Sequence, residues 1–132
     1  MLKKLFVCSL VSLLLIGVFA SAQSPIKLKG YLIDMMCANA YADEPNALAE
    51  AKKHPKECSL MPQCKKDGYA VMTEDGTIYK LDKVGNKKAA EILDKTTTEE
   101  GLVVAFEADI KGKVLYVKTM AEAETAQQEV KE

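Results

Sequence analysis

The stretch YAVMTEDGTIYKL, residues 69–81, decides the fold of this chain. Two short runs rich in β-branched and aromatic residues flank the segment Glu74-Asp75-Gly76-Thr77. The dipeptide Asp75-Gly76 supplies the positive φ values that a tight hairpin turn needs. Residues 69–73 and 78–81 are therefore predicted to be two antiparallel strands.

Three further strands are predicted on either side of this hairpin. Residues 26–33 alternate between apolar and polar positions, with Gly30 in the middle suggesting a bulge or a sharp bend. Residues 102–110 and 114–120 alternate in the same way around a turn at Lys111-Gly112-Lys113. They are predicted to form a second hairpin.

Two helices are predicted between the strands. The first begins at Asp43, a plausible N-cap with Pro45 in the first turn, and ends at His54-Pro55 because a residue before proline avoids the helical region. A loop containing Cys58 and Cys64 follows it. The second helix covers residues 87–95 and ends at a run of threonines.

The element order predicts a mainly β domain. We expect a five-stranded OB-like small barrel, with a helix plus a Cys-loop insertion between strands 1 and 2 and a short helix between strands 3 and 4. Closing an all-antiparallel sheet on itself would remove its exposed edges. The alternative is an open α+β sheet with its helices on one face.

The N-terminus has the pattern of a secretory signal peptide. Two lysines precede an apolar run from Leu5 to Ala20, and Ala20-Ser21-Ala22 is typical of a cleavage site. We therefore predict a signal peptide over 1–22, a domain over 23–121 and a polar tail over 122–132. Cys8 lacks a lipobox spacing, so a secreted or periplasmic protein is predicted rather than a lipoprotein.

Charge and composition limit the partners. The chain carries 18 lysines, no arginine and 19 acidic residues, and this mildly acidic balance argues against nucleic-acid binding. No second apolar run is long enough to span a membrane after signal cleavage. The expected partner is a small ligand or an envelope protein.

Signal cleavage would leave three cysteines, Cys37, Cys58 and Cys64, in an oxidising compartment where pairing is the default. A single disulfide is predicted, and Cys37–Cys64 is favoured because the end of strand 1 should lie beside the start of strand 2. Cys37–Cys58 is nearly as good, and Cys58–Cys64 would close only a short loop. The odd number leaves one thiol unpaired.

The alternative for the same residues is a copper or zinc site. Its candidate ligands are the chain's only histidine, one methionine and the three cysteines: His54, Met61, Cys37, Cys58 and Cys64. Two of these residues also have a simpler structural explanation, since His54 suits a helix C-terminus and Met61 suits a hydrophobic core. Thiol–disulfide exchange is a third reading.

These readings lead to two functional hypotheses. The first is an exported, non-catalytic binding or accessory module of the cell envelope with no cofactor, in which Tyr69 and Tyr79 form a ligand face. The second is a soft-metal protein that uses the Cys/His/Met loop. No nucleophile with a base and a glycine elbow is evident, so an enzyme ranks last.

The spacing of these residues resembles that of a known family. Its pattern is Gly-x3-Asp-x2-Cys, then His-x3-Cys-x5-Cys-x3-Gly, formed here by Gly30, Asp34, Cys37, His54, Cys58, Cys64 and Gly68. The chain resembles, over most of residues 26–120, a family of small secreted bacterial OB-like proteins. The resemblance implies export and a small barrel, and it assigns no catalytic role to any residue.

Overall fold

The structure is a computed structural model that describes residues 24–124. The predicted signal peptide over 1–22 and residues 125–132 of the predicted tail lie outside the described residues. Within the described part of the chain, every helix is too short or too polar to cross a membrane.

Strands and helices contribute similar numbers of residues, so the prediction of a mainly β domain is too narrow. The strands are β1 (Ile26–Asp34), β2 (Tyr69–Thr73), β3 (Ile78–Leu81), β4 (Val103–Lys111) and β5 (Val114–Glu122). The helices are α1 (Met35–Tyr41), α2 (Ala47–Ala51), α3 (Lys56–Leu60), α4 (Pro62–Asp67) and α5 (Lys83–Lys95). The predicted five strands, the insertion between β1 and β2 and the helix between β3 and β4 are confirmed.

The five strands form a closed ring of hydrogen-bonded neighbours in the order β1-β2-β3-β5-β4, with β4 returning to β1. The pairing of β3 with β5 is parallel, and Lys80 lies opposite Val114. The expectation of an all-antiparallel sheet is therefore wrong. The chain between these two strands includes α5 and β4. It reverses direction before β4 and again after it, so β5 runs parallel to β3.

Strand β1 is shared between two neighbours, and Gly30 lies where they overlap. Gly30 is opposite both Thr73 of β2 and Val104 of β4. A Cβ atom at this position would collide with Val71 Cγ1 and would lie 2.7 Å from the Met72 carbonyl oxygen. Only glycine allows the backbones to approach this closely.

Two hydrophobic clusters hold the fold together. The larger cluster packs α5 and Leu102, which directly precedes β4, against side chains from all five strands, including Leu32, Val71, Leu81, Val104 and Leu115. The smaller cluster lies between the insertion and β1 and β2, and it consists of Ile33, Ala38, Ala51, Ala70 and Met72. The insertion is therefore packed against the sheet.

The insertion is more helical than the sequence suggested. Helix α1 was not predicted; it begins directly after β1 because Asp34 caps it. The helix expected from Asp43 instead begins at Ala47 after Asn46, and the expected Cys loop is folded into α3 and α4. Proline at the first position of α4 suits a helix start, because proline lacks the N–H that would be unpaired there.

Helix α5 begins four residues earlier than predicted. The Asp82 side chain accepts a hydrogen bond from the Gly85 N–H at 2.9 Å, and it also accepts one from the Val117 N–H at 3.2 Å. The same side chain thus caps the helix and ties it to β5. Strand β5 reaches Glu122, the first residue of the predicted tail.

Candidate metal centre

The site is built where β1 ends and the insertion begins. Asp34 is the last residue of β1 and is fully buried. Its Oδ1 accepts a hydrogen bond from the Cys37 N–H at 2.9 Å, as an N-cap does for the first turn of a helix. This cap fixes Cys37 in the turn beside the carboxylate.

His54 reaches the same point from the junction between α2 and α3. Its ring is buried, with the residue only 3% exposed. The His54 carbonyl accepts a hydrogen bond from the Gly101 N–H at 3.0 Å, and the Lys56 N–H donates to the Glu99 carbonyl at 2.8 Å. The segment 99–101, which precedes β4, therefore holds the histidine in place.

The imidazole has a polar neighbour at each nitrogen. Nδ1 lies 3.3 Å from the Tyr41 hydroxyl, and Nε2 lies 3.0 Å from Ser59 Oγ. Both hydroxyls can donate or accept, so these contacts suit either neutral tautomer. When Nδ1–H donates to Tyr41, Nε2 presents a lone pair.

One oxygen of Asp34 has no hydrogen bond within the described chain. Oδ2 lies 3.1 Å from His54 Nε2, but the two atoms lack the alignment of a hydrogen bond. A fully buried carboxylate oxygen without a donor is costly and rare in folded proteins. This oxygen can therefore accept a positive partner.

The potential donor atoms of Asp34, Cys37 and His54 lie within 4.8 Å of one another. Ligands around a tetrahedral zinc ion are separated by roughly 3.3–3.8 Å, so a contraction of about 1 Å would bring these three atoms into a coordination sphere. Carboxylate oxygen, thiolate sulfur and imidazole nitrogen are all established zinc ligands.

The electrostatics of the site favour a cation. Burial alone would raise the pKa of Asp34, but the close contact with the His54 ring, the hydrogen bond from the Cys37 amide and the attraction of His54 hold this pKa well below its usual range. Burial and then the Asp34 charge raise the pKa of Cys37 to about 12. The site thus contains a charged carboxylate next to a protonated thiol, which a bound metal ion would deprotonate.

Cys64 is a further buried thiol of the insertion. It is 1% exposed within α4, and burial followed by the Asp34 charge raises the pKa of its thiol. Cys58 lies in α3 and is half-buried. Neither of these two thiols belongs to the group of donors within 4.8 Å.

The predicted Cys37–Cys64 disulfide is not formed in the structure. Cys37, Cys58 and Cys64 are all free thiols. Cys37 is held by its helix cap to Asp34 rather than by a sulfur partner. A disulfide in this segment stays a prediction for the oxidised protein.

Met61 is a further predicted metal ligand that lies outside the group of converging donors. It lies between α3 and α4 in an extended conformation and is 47% exposed. The Met61-Pro62 junction separates α3 from α4. Its thioether therefore does not join the other candidate ligands.

The two tyrosines of the predicted ligand face are not together on an exposed surface. Tyr69 is 2% exposed, and its hydroxyl donates a hydrogen bond to the Ser59 carbonyl at 3.1 Å. Tyr79 is half-buried against the main core, with Lys113 above its ring. The buried Tyr69 side chain thus contacts α3 and does not form an exposed ligand face with Tyr79.

The geometry does not support nucleophilic catalysis by Ser59. Ser59 and Asp34 both approach the same ring nitrogen of His54, whereas a catalytic triad places them at opposite nitrogens. Ser59 is also fully buried.

Sequence reasoning missed Asp34 as a site residue, because an aspartate at the end of a strand also suits a turn. The available signal was its position three residues before Cys37, which is the spacing of a side-chain N-cap.

Comparison of the chain with protein-family models, with curated proteins and with solved structures finds no match. Inference about function therefore depends on the geometry of the site.

Proposed function

We propose that this chain is an exported, non-catalytic binding module whose ligand is a divalent transition-metal cation of the zinc type. The observation that carries the proposal is the buried Asp34 Oδ2, which has no hydrogen-bond donor in the described chain and faces Cys37 and His54. A cation at this point would satisfy the oxygen and balance its charge.

The donor set favours zinc over copper. An oxygen, a nitrogen and a sulfur ligand form a mixed set that suits Zn²⁺, whereas Cu(I) prefers several soft sulfur ligands. The exposed position of Met61 takes the thioether out of that set. Copper remains the alternative outcome of the test.

The surroundings of the site resemble those of a structural metal site. The Tyr41 hydroxyl beside Nδ1 could hold the imidazole in orientation, as outer partners do for metal-binding histidines. Cys64 is the proposed fourth ligand, because its buried thiol is affected by the Asp34 charge. Four protein ligands would close the coordination sphere, which is typical of a structural rather than a catalytic site.

We further propose that the domain is OB-like and acts in the cell envelope. The ring order, with a parallel β3–β5 pair and α5 between β3 and β4, supports the OB-like assignment. The predicted signal peptide supports export, and the resemblance to small secreted OB-like proteins agrees with both proposals.

Metal binding by the chain over 23–132 tests the proposal. Competition with a chromogenic chelator gives the zinc affinity, and the cobalt-loaded protein reports a thiolate ligand through its charge-transfer absorption. We expect one equivalent of zinc. Asp34→Asn should weaken zinc binding by about tenfold or more, because the amide loses the charge but keeps the acceptor that caps α1.

Met61→Leu is the matched control, since it changes the same insertion at an exposed position and should leave zinc affinity unchanged. Wild-type affinity in the Asp34→Asn variant would overturn the proposal. Preferential binding of Cu(I) that depends on Met61 would replace it with the copper alternative.

A further inference from the structure

Three exposed lysines meet at the turn between β4 and β5. Lys111 and Lys113 flank Gly112 in this turn, and the Lys80 N–H of β3 donates a hydrogen bond to the Lys113 carbonyl at 2.8 Å. The parallel pairing of β3 with β5, which closes the ring, therefore brings a third lysine to this turn. None of the candidate metal ligands belongs to this part of the chain.

Two of the lysines lie on either side of an apolar residue. Val114 is the partner of Lys80 in β3 and of Lys111 in β4, and directly paired residues lie on the same face of a sheet. Tyr116, two positions further along β5, returns to that face. It is 42% exposed, whereas Leu115 between them is buried in the core. Lysines thus flank a valine and an exposed tyrosine on the outer face of the sheet.

The ammonium groups are held close to aromatic rings. Lys111 Nζ lies 4.9 Å from the centroid of the Tyr116 ring, and Lys113 Nζ lies 5.9 Å from that of Tyr79. Both distances are within the range of cation–π attraction. Within residues 24–124, neither lysine forms an ion pair, and nor does Lys80.

The surface around these lysines has an excess of positive charge. Asp109, which is paired with Tyr116 across β4 and β5, lies 3.3 Å from the Lys118 ammonium group, so its charge is already balanced. The whole chain carries slightly more acidic residues than lysines, 19 against 18. The positive charge at this turn is therefore a local feature of the fold and does not follow from the composition.

We propose that this surface, the lysine patch, docks the domain on an anionic lipid bilayer; it consists of Lys80, Lys111, Lys113, Val114 and Tyr116. The lysines attract the phosphate head groups, and the tyrosine ring with its polar hydroxyl suits the boundary between head groups and acyl chains. A single-stranded nucleic acid fits the patch less well, because it stacks successive bases on several exposed rings, and Tyr79 is half-buried. Docking does not depend on the proposed metal.

Sedimentation of the chain over 23–132 with lipid vesicles tests the proposal. This chain lacks the apolar segment 5–20, so vesicle binding reports on the folded domain. We expect binding to vesicles of phosphatidylglycerol, weaker binding at high salt, and no binding to vesicles of phosphatidylcholine. The triple variant Lys80→Gln/Lys111→Gln/Lys113→Gln should bind about a hundredfold more weakly, since each lysine near an anionic surface contributes about fivefold. Tyr116→Ser should weaken vesicle binding without weakening binding to soluble polyphosphate.

The matched control removes the same charge at three exposed lysines outside the patch: Lys53→Gln/Lys66→Gln/Lys95→Gln. It should bind phosphatidylglycerol vesicles much more tightly than the patch variant does. Equal losses in the two triple variants would show a general charge effect and overturn the proposal. Equal binding of the wild type to the two lipids, or no binding to either, would overturn it too. Binding to polyphosphate without binding to vesicles would replace the bilayer with a soluble polyanion.

Discussion

At the scale of single residues, Asp34 has three structural roles. It ends β1, caps α1 and directs an unpartnered oxygen toward His54 and Cys37. The sequence pattern indicated only the first of these, the end of the strand, because helix α1 was not predicted. The contact with His54 joins residues that are distant in the chain, and no local rule predicts such a contact.

Gly30 offers a test of the closest backbone approach in the sheet. Gly30→Ala would place a methyl group against Val71 and against the Met72 backbone, which has little freedom to move. We expect a loss of about 1–3 kcal/mol in the free energy of unfolding, measured by urea denaturation. An alanine variant as stable as the wild type would contradict this account of the sheet.

Gly112→Asn is the control for Gly30→Ala. Gly112 has a positive φ that asparagine tolerates, and a Cβ there would meet open space. Its stability should stay within about 0.5 kcal/mol of the wild type.

At the scale of elements, the β2–β3 hairpin shows how far local chemistry specifies structure. Its strands match their predicted bounds, because Asp75-Gly76 fixes the turn. The insertion shows the opposite case. Its five- to seven-residue helices are too short to be stable alone, so their formation depends on packing against the sheet and on caps.

The hairpin turn should contribute to the pH dependence of stability. Hydrogen bonds from the Thr73 hydroxyl and the Thr77 amide to the Asp75 carboxylate lower the pKa of Asp75. Because the folded pKa lies below the unfolded value of about 3.9, this contribution is present above that value and is lost as the pH falls through the folded pKa.

Asp75→Asn tests this dependence. The variant should be less stable than the wild type at neutral pH, and the difference should shrink as the pH falls below about 4, because the wild-type carboxyl also becomes neutral. Urea denaturation at several pH values measures it, and Asp43→Asn is a control outside the turn. A difference that is constant with pH would contradict the assignment.

At the scale of the whole molecule, the proposed ligands come from β1, α1, the α2–α3 junction and α4, so metal binding should stabilise the insertion as a unit. Zinc at about 100 times its dissociation constant should raise the free energy of unfolding by about 2.7 kcal/mol. Chelation should reverse the gain. Thermal unfolding with and without zinc measures it.

Hydrogen exchange can locate the stabilised region. Added protection should concentrate in residues 34–67, since the candidate ligands lie there, while the β4–β5 hairpin should change less. A uniform increase, or an increase centred on β4 and β5, would place the metal elsewhere.

The order of the chain has a consequence for synthesis. The three converging donors are complete once residue 54 has been made, but the segment that holds His54 lies at 99–101. Synthesis proceeds from the N-terminus, so a nascent chain that ends before Glu99 has every donor and lacks the contacts that arrange them. The proposed metal centre can therefore assemble only late in synthesis, after most of the polypeptide has been made.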